Sequence, residues 1–183
     1  MPQFLGWGIL TGRYTDGHFQ ENIHENAFYQ KLKSLIELKA ISYDRLHQEL
    51  EFTPVDVCAK GIISIIRTNT WTGRVFHMFN HKKIETKKLM DILYWQGTEI
   101  ELLDKVLFYQ LIEEYRKKKH NDSLNGFVLD LTEEGQIDSS YKIEISSNIT
   151  QDYLAQTGFE WPEVTADYLN KVLDYMKRVG FLR

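Results

Sequence analysis

Several groupings in this sequence have the residue types and spacing for chemistry. Tyr29 with Lys33, and Tyr115 with Lys119, stand four residues apart, which on a helix puts a phenol and an ammonium on one face, an arrangement suited to proton transfer. The spacing is easily met in a chain with ten tyrosines. The second pair also lies in the basic run Arg116-Lys117-Lys118-Lys119, which suits a solvated helix end where cations complement the dipole. Both pairs are read as structural. His77 and His81 have no further Cys, Asp or His at ligand spacing and are read as hydrogen-bonded core or loop histidines, so no metal is expected. Gly6, Gly8 and Gly12 follow the pattern G-x-G-x-x-x-G, with Thr11 where the dinucleotide fingerprint needs its third glycine. The following Arg13-Tyr14-Thr15-Asp16-Gly17 reads as a turn, which leaves no helix N-terminus to face a pyrophosphate. No catalytic, cofactor-binding or metal-binding residue is assigned.

The elements that would position a site follow from periodicity. Phe4, Leu5, Trp7, Ile9 and Leu10 form an apolar run closed by Gly12 and read as a buried strand. Phe28, Leu32, Leu35 and Ile36 predict a helix from about Glu25 to Lys39, with Asn22, His24 and Asn26 at or before its start. Leu50 and Phe52 around Glu51 predict a strand running into a helix. There Thr53 is the expected N-cap, Pro54 takes the first helical position where its missing N–H is not needed, and Asp56 reaches back to the Thr53 N–H. Val55, Cys58, Ala59, Ile62, Ile63 and Ile66 then make a wide apolar face, with small Ala59 and Gly61 permitting close approach. Arg74 to Phe79 reads as a strand apolar on both faces. A helix from about Glu85 to Gln96 turns Leu89, Ile92 and Leu93 inward, Thr98 to Leu103 is a short strand, and Asp104 caps a helix marked by Val106, Leu107, Leu111 and Tyr115. Phe127 to Leu131 and Tyr141 to Ile145 read either as a helix and a strand or as a hairpin. Thr150 is expected to cap a short helix ending at Gly158. Thr165 caps the last one, which buries Tyr168, Val172, Tyr175, Met176 and Val179 and stops at Gly180.

Length and composition bound the class. A chain of 183 residues with 43% hydrophobic and 13% aromatic residues can build a real core. A formal net charge of −4 gives no broad attraction to nucleic acid or anionic membrane, and neither is an expected partner. The single cysteine, Cys58, cannot form an internal disulfide, and no apolar run reaches the roughly 20 residues needed to span a bilayer. A cytoplasmic protein without a signal peptide is the expectation.

Four segments occur in an order and spacing that resembles a known family. They are Leu10-Thr11-Gly12-Arg13-Tyr14-Thr15-Asp16-Gly17, Glu25-Asn26-Ala27-Phe28-Tyr29, Phe52-Thr53-Pro54-Val55-Asp56 and Gly73-Arg74-Val75-Phe76-His77-Met78-Phe79-Asn80. Together they resemble the C-terminal part of the reductase domains that release the products of nonribosomal peptide synthetases. Phe159-Glu160-Trp161-Pro162 and Gly180-Phe181-Leu182 look like the end of those domains, while Gly6 and Ile9 stand where the family pattern carries polar residues. The family consists of extended short-chain dehydrogenases that reduce a carrier-protein thioester with NADPH.

The resemblance implies an α/β, mainly helical fold: the C-terminal lobe of an extended short-chain dehydrogenase, with a few short strands and no complete Rossmann sheet. It implies one substrate-binding lobe over 1–183, with 1–20 a remnant strand and turn of the nucleotide-binding half and 21–183 the substrate lobe. It implies substrate binding at Thr11, Gly12, Arg13, Asn26, Phe28, Thr53, Pro54 and Val55. NADPH and a phosphopantetheinyl carrier protein are then ligands of the complete enzyme. The family's glycine-rich loop and its Tyr-Lys pair, which protonates the developing alkoxide, belong upstream of the Leu-Thr-Gly-Arg segment. This chain alone is therefore expected to bind no cofactor and transfer no hydride. The function implied is recognition of a peptidyl or acyl thioester that the whole enzyme releases as aldehyde or alcohol. Two alternatives stay open, a non-catalytic module that docks a carrier protein or completes a reductase in trans, and a lobe of another extended dehydrogenase such as a sugar epimerase. The Phe4 to Leu10 run and the apolar face of the Thr53 helix, which the nucleotide-binding half would cover, lead to an expected homodimer.

Overall fold

The computed structural model describes residues 5–7, 9–68, 73–118 and 146–182. Phe4, Lys119 and the segments Phe127 to Leu131 and Tyr141 to Ile145 lie outside them. In chain order the elements are β1 Leu5–Trp7, β2 Leu10–Thr11, α1 Ala27–Leu38, β3 Ala40–Ser42, β4 Glu49–Leu50, β5 Thr53–Pro54 and α2 Val55–Arg67. Then come β6 Phe76–Met78, β7 Ile84–Glu85, α3 Thr86–Trp95, β8 Glu101–Leu103, α4 Lys105–Lys118, α5 Asn148–Gln156 and α6 Ala166–Arg178. The strands pair two by two: β1 with β6, β2 with β5 and β3 with β8 in parallel, and β4 with β7. The fold is α/β and mainly helical, with short strands and no complete doubly wound sheet among the described residues.

The chain groups into two compact units. The first holds the described residues of Met1–Gln20, Leu50–Ile84 and Ile143–Tyr175. Its core joins Phe76 and Met78 of β6 to Val57, Cys58 and Ile65 of α2, with Leu154 of α5 and Trp161. Gly61 is where the backbone of α2 comes closest, because a Cβ there would stand 2.7 Å from Met78 Cε and 3.2 Å from the Phe159 ring. Burial pushes the Cys58 thiol up to about 11, which leaves it an inert packing group.

The second unit holds Glu21–Glu49, the described residues of Glu85–Lys142, and those of Met176–Arg183. Asn26 Oδ1 caps α1 by accepting the Phe28 and Tyr29 N–H groups at 3.0 and 3.2 Å. The helix buries Tyr29, Leu32, Ser34, Leu35 and Leu38 and ends on Lys39 in the left-handed region, φ 54°. Lys39 carbonyl oxygen then accepts the Glu101 N–H at 2.8 Å at the start of the β3–β8 pair. Leu89, Ile92 and Leu93 of α3 are buried, and Asp104 Oδ1 caps α4 through Val106 and Leu107 N–H, both as the sequence predicts.

The main departures are rotations of helix faces and reassignments of caps. Thr53 lies in β5 and Pro54 is the N-cap residue of α2, with no side-chain cap. The Thr53 N–H donates to Ile9 carbonyl oxygen at 3.2 Å, so strand pairing uses the group that a capping box would have satisfied. On α2 the buried positions are Val57, Cys58, Gly61 and Ile65, whereas Ala59, Ile63 and Ile66 are exposed. On α4 the buried residues are Phe108 and Ile112, leaving Val106 and Leu107 in solvent. Ile9, Val75 and Val179 are also exposed. Thr150 lies inside α5, and its hydroxyl accepts the His77 N–H at 2.9 Å, a tertiary bond that outcompetes the capping role. Thr165 Oγ1 accepts the Tyr168 N–H at 3.2 Å and serves the last helix as expected.

Candidate functional site

The sequence from Ile9 to Gly17 folds as a short strand and a closed turn, held from three sides within the first unit. From below, β2 pairs with β5 in the register Leu10 to Thr53 and Thr11 to Pro54. Glu51 extends that pairing: its Oε1 accepts the Ile9 N–H at 2.9 Å and the Thr53 hydroxyl at 2.8 Å. Burial raises the Glu51 carboxyl above its ordinary value, outweighing these hydrogen bonds. The Thr53 oxygen in turn accepts the buried Asn80 N–H at 2.9 Å. Asn80 Nδ2 donates to Pro162 carbonyl oxygen at 3.1 Å, so β5, the end of β6 and the loop before α6 are joined through two side chains.

From the side, α6 supplies Tyr168. Its hydroxyl donates to Gly12 carbonyl oxygen at 2.8 Å and lies 2.7 Å from Thr11 Oγ1. With the phenol proton engaged by Gly12, Thr11 is the donor to the phenol oxygen. Thr11, Gly12 and Tyr168 are all buried, and the low dielectric makes such a satisfied network rigid. The Tyr14 ring stacks on Tyr168 with centroids 5.0 Å apart, while Asp56 Oδ1 accepts the Tyr14 N–H at 2.8 Å and the Val57 N–H at 3.0 Å. The carboxylate at the start of α2 thus also anchors the turn.

The turn itself is closed by its own residues. Gly17 N–H donates to Arg13 carbonyl oxygen at 2.8 Å and Arg13 N–H to His18 carbonyl oxygen at 2.9 Å. The Arg13 guanidinium grips Asp16 through two bonds, Nε to Oδ1 at 3.0 Å and Nη2 to Oδ2 at 2.5 Å. The His18 N–H and then Arg13 hold the exposed Asp16 carboxyl below its ordinary value. Gly17, at φ +71°, has no room for a side chain, because a Cβ would fall 2.2 Å from Lys171 carbonyl oxygen. The result is a rigid rim on which Arg13, Thr15, Asp16 and His18 face solvent while every named hydroxyl behind it has a fixed partner. Such a surface can bind and orient a ligand.

Of the eight residues the sequence singles out, six come together here: Thr11, Gly12, Arg13, Thr53, Pro54 and Val55. Thr11, Gly12, Thr53 and Pro54 are buried supports, Val55 is half-buried and Arg13 is exposed. Asn26 and Phe28 stand in the second unit, where Asn26 caps α1 and Phe28 packs edge-on against Tyr29 at 5.6 Å. Sequence reasoning missed Tyr168, Asn80 and Glu51 as parts of this network. Tyr168 had a usable signal, since a phenol on the buried face of a helix needs a polar partner.

A dinucleotide does not fit the described glycines. Gly12 opens a hydrogen-bonded turn, and the next α-helix starts only at Ala27, so no helix N-terminus follows the glycine to receive a pyrophosphate. Tyr29 is fully buried, and Lys33 pairs with Glu37 at 3.6 Å, consistent with a structural role. Among the described residues no group of three or more His, Cys, Asp or Glu could hold a metal, and no helix is long and apolar enough to cross a membrane.

No protein-family model matches the chain. It is 27% identical over 136 residues to a linear gramicidin synthase of Brevibacillus parabrevis, covering 74% of this chain and 3% of that protein. The thiolation-reductase di-domain of an archaeal non-ribosomal peptide synthetase superposes on 98% of this chain and 36% of its own, with TM-score 0.82 and 29% identity. The terminal R domain of the myxalamid pathway superposes on 98% of this chain and 44% of its own, with TM-score 0.79 and 18% identity, a likeness of fold. The chain thus spans less than half the length of each of these relatives.

Proposed function

We propose that this chain, whose fold is that of part of the terminal reductase domains of nonribosomal peptide synthetases, is the substrate-recognising portion of an NADPH-dependent thioester reductase. In the complete enzyme it would position a peptidyl or acyl thioester, delivered on the phosphopantetheine arm of a carrier protein, for reductive release as an aldehyde or alcohol. NADPH would supply the hydride, held by residues other than the turn described here. The observation that carries the reading is the superposition over 98% of the chain on a thiolation-reductase di-domain, within which the Leu10–Gly17 turn is locked from behind and open in front.

The role of this chain's residues is then positional. Thr11, Thr53, Tyr168 and Asn80 hold the turn rigid, so little ordering cost falls on binding, and Arg13 fixes Asp16 and so the shape of the rim. Calorimetric titration of the chain with an acyl-phosphopantetheine thioester and with free phosphopantetheine tests this. Saturable binding that prefers the thioester, weakened about tenfold (about 1.4 kcal/mol) by Arg13→Ala, is expected. Equal, non-saturating responses to both compounds would overturn it.

A further inference from the structure

A half-open cleft of about 460 Å³ lies within the first unit, between the residues that start β6 and those that start α5, a size in the range of small-molecule sites. It stands at the end of β6 away from Asn80, whose N–H meets Thr53 behind the turn. The cleft is therefore a place separate from the rim formed by Arg13 to His18.

Its described wall carries one sign of charge. Arg74, exposed, is the charged residue that lines it, and no carboxylate among the described residues pairs with this guanidinium. The guanidinium carbon stands 5.0 Å from the centroid of the Tyr153 ring. That contact places the side chain beside α5 and engages no acceptor, so the planar donor fork remains open to grip one. Thr150 lines the same cleft and is buried, and its hydroxyl accepts the His77 N–H at 2.9 Å. The hydroxyl proton itself meets no acceptor among the described residues, and a buried donor left so costs free energy that a ligand oxygen would recover. Ser146 adds a second hydroxyl, and the half-buried His77 ring has no hydrogen-bond partner among the described residues. Val75 and Ile149, exposed by 49% and 59%, supply an apolar part of the wall. One fixed cation with hydroxyl donors and apolar side chains beside it suits a singly charged carboxylate on a short apolar chain. A phosphate dianion would bring a second negative charge that the described wall does not match with a second fixed cation.

We infer that the cleft between β6 and α5 binds a small organic carboxylate, held by the Arg74 guanidinium and the Thr150 hydroxyl, with its chain on Val75 and Ile149. The inference goes beyond the thioester reading and does not depend on it, since its test uses neither a thioester nor phosphopantetheine.

Hexanoate titrated into the full chain at low ionic strength, where charge pairing is least screened, reads the cleft through the ring proton signals of His77, assigned by their absence in His77→Gln. A saturable shift with a Kd of about 1 mM is expected for so small a probe, with hexanol and inorganic phosphate each at least tenfold weaker on the wild-type chain. Arg74→Gln should weaken hexanoate at least tenfold, and Ile149→Glu, which adds a carboxylate to the wall, should abolish its binding. Both side chains are exposed, so both variants should keep the circular dichroism and melting temperature of the wild type. Four results would each overturn the inference: no saturable shift up to about 20 mM hexanoate, saturation that leaves His77 unmoved, hexanol or phosphate binding as tightly as hexanoate, or hexanoate binding that survives either variant.

Discussion

At the scale of single residues, the turn depends on groups whose partners are buried. Removing the Tyr168 hydroxyl takes one hydrogen bond each from Gly12 carbonyl oxygen and the Thr11 hydroxyl in the interior, and losing such bonds to buried groups costs about 1–3 kcal/mol. Tyr168→Phe should lower the unfolding free energy by that amount, read as a lower urea midpoint with an unchanged m-value. Glu51 gives a pH signature. Its folded carboxyl holds its proton to a higher pH than the ordinary 4.5, so the folded state binds more protons than the unfolded one in the window that opens at that value. Stability from this group is present below the window and is lost as pH rises through it. Glu51→Gln keeps an oxygen to accept the Ile9 and Thr53 donors and should flatten that decline in a series of denaturation curves. A steeper decline in the variant would contradict the assignment. Little of this was legible beforehand: Thr11, Gly12 and Thr53 stood out by their neighbours in sequence, but the partners that give them their roles lie far along the chain.

At the scale of elements, types and approximate positions were legible and orientations were less so. The cap residues Asp104 and Thr165 act locally, and sequence order suffices to find them, while Asn26 was one of three residues placed at or before the start of α1. The inward face of α2 is set by long-range packing of Phe76, Met78, Leu154 and Trp161, and a helix with isoleucines on two sides does not reveal which side wins. Thr53 was misplaced for the same reason, because the parallel strand that takes its N–H comes from far earlier in the chain. Gly17→Ala puts a Cβ 2.2 Å from a backbone carbonyl oxygen at positive φ, so it should destabilise the chain by more than about 3 kcal/mol or prevent folding. Lys39→Gly relieves a left-handed residue at the end of α1 and should raise stability by about 0.5–1 kcal/mol, read as a higher melting temperature.

At the scale of the whole molecule, the chain carries the mainly helical α/β fold of terminal reductase domains, and the described glycines do not offer a dinucleotide cradle. Mixed with NADPH alone, it should give neither saturable enhancement of cofactor fluorescence nor oxidation read as loss of the nicotinamide absorbance, and tight micromolar binding would contradict that expectation. The order of the Leu-Thr-Gly-Arg, Glu-Asn-Ala-Phe and Phe-Thr-Pro-Val-Asp segments made the fold legible, because each is tied to a turn or helix start whose geometry few sequences satisfy. The most direct test of substrate recognition is a residue-resolved amide spectrum of the isotopically labelled chain titrated with an acyl-phosphopantetheine thioester. Saturable shifts confined to the rim from Arg13 to His18 and to Val55 at the start of α2, lost in Arg13→Ala, are the predicted result. Shifts elsewhere, or none while the fold stays intact, would contradict the assignment of this turn as the thioester-facing site.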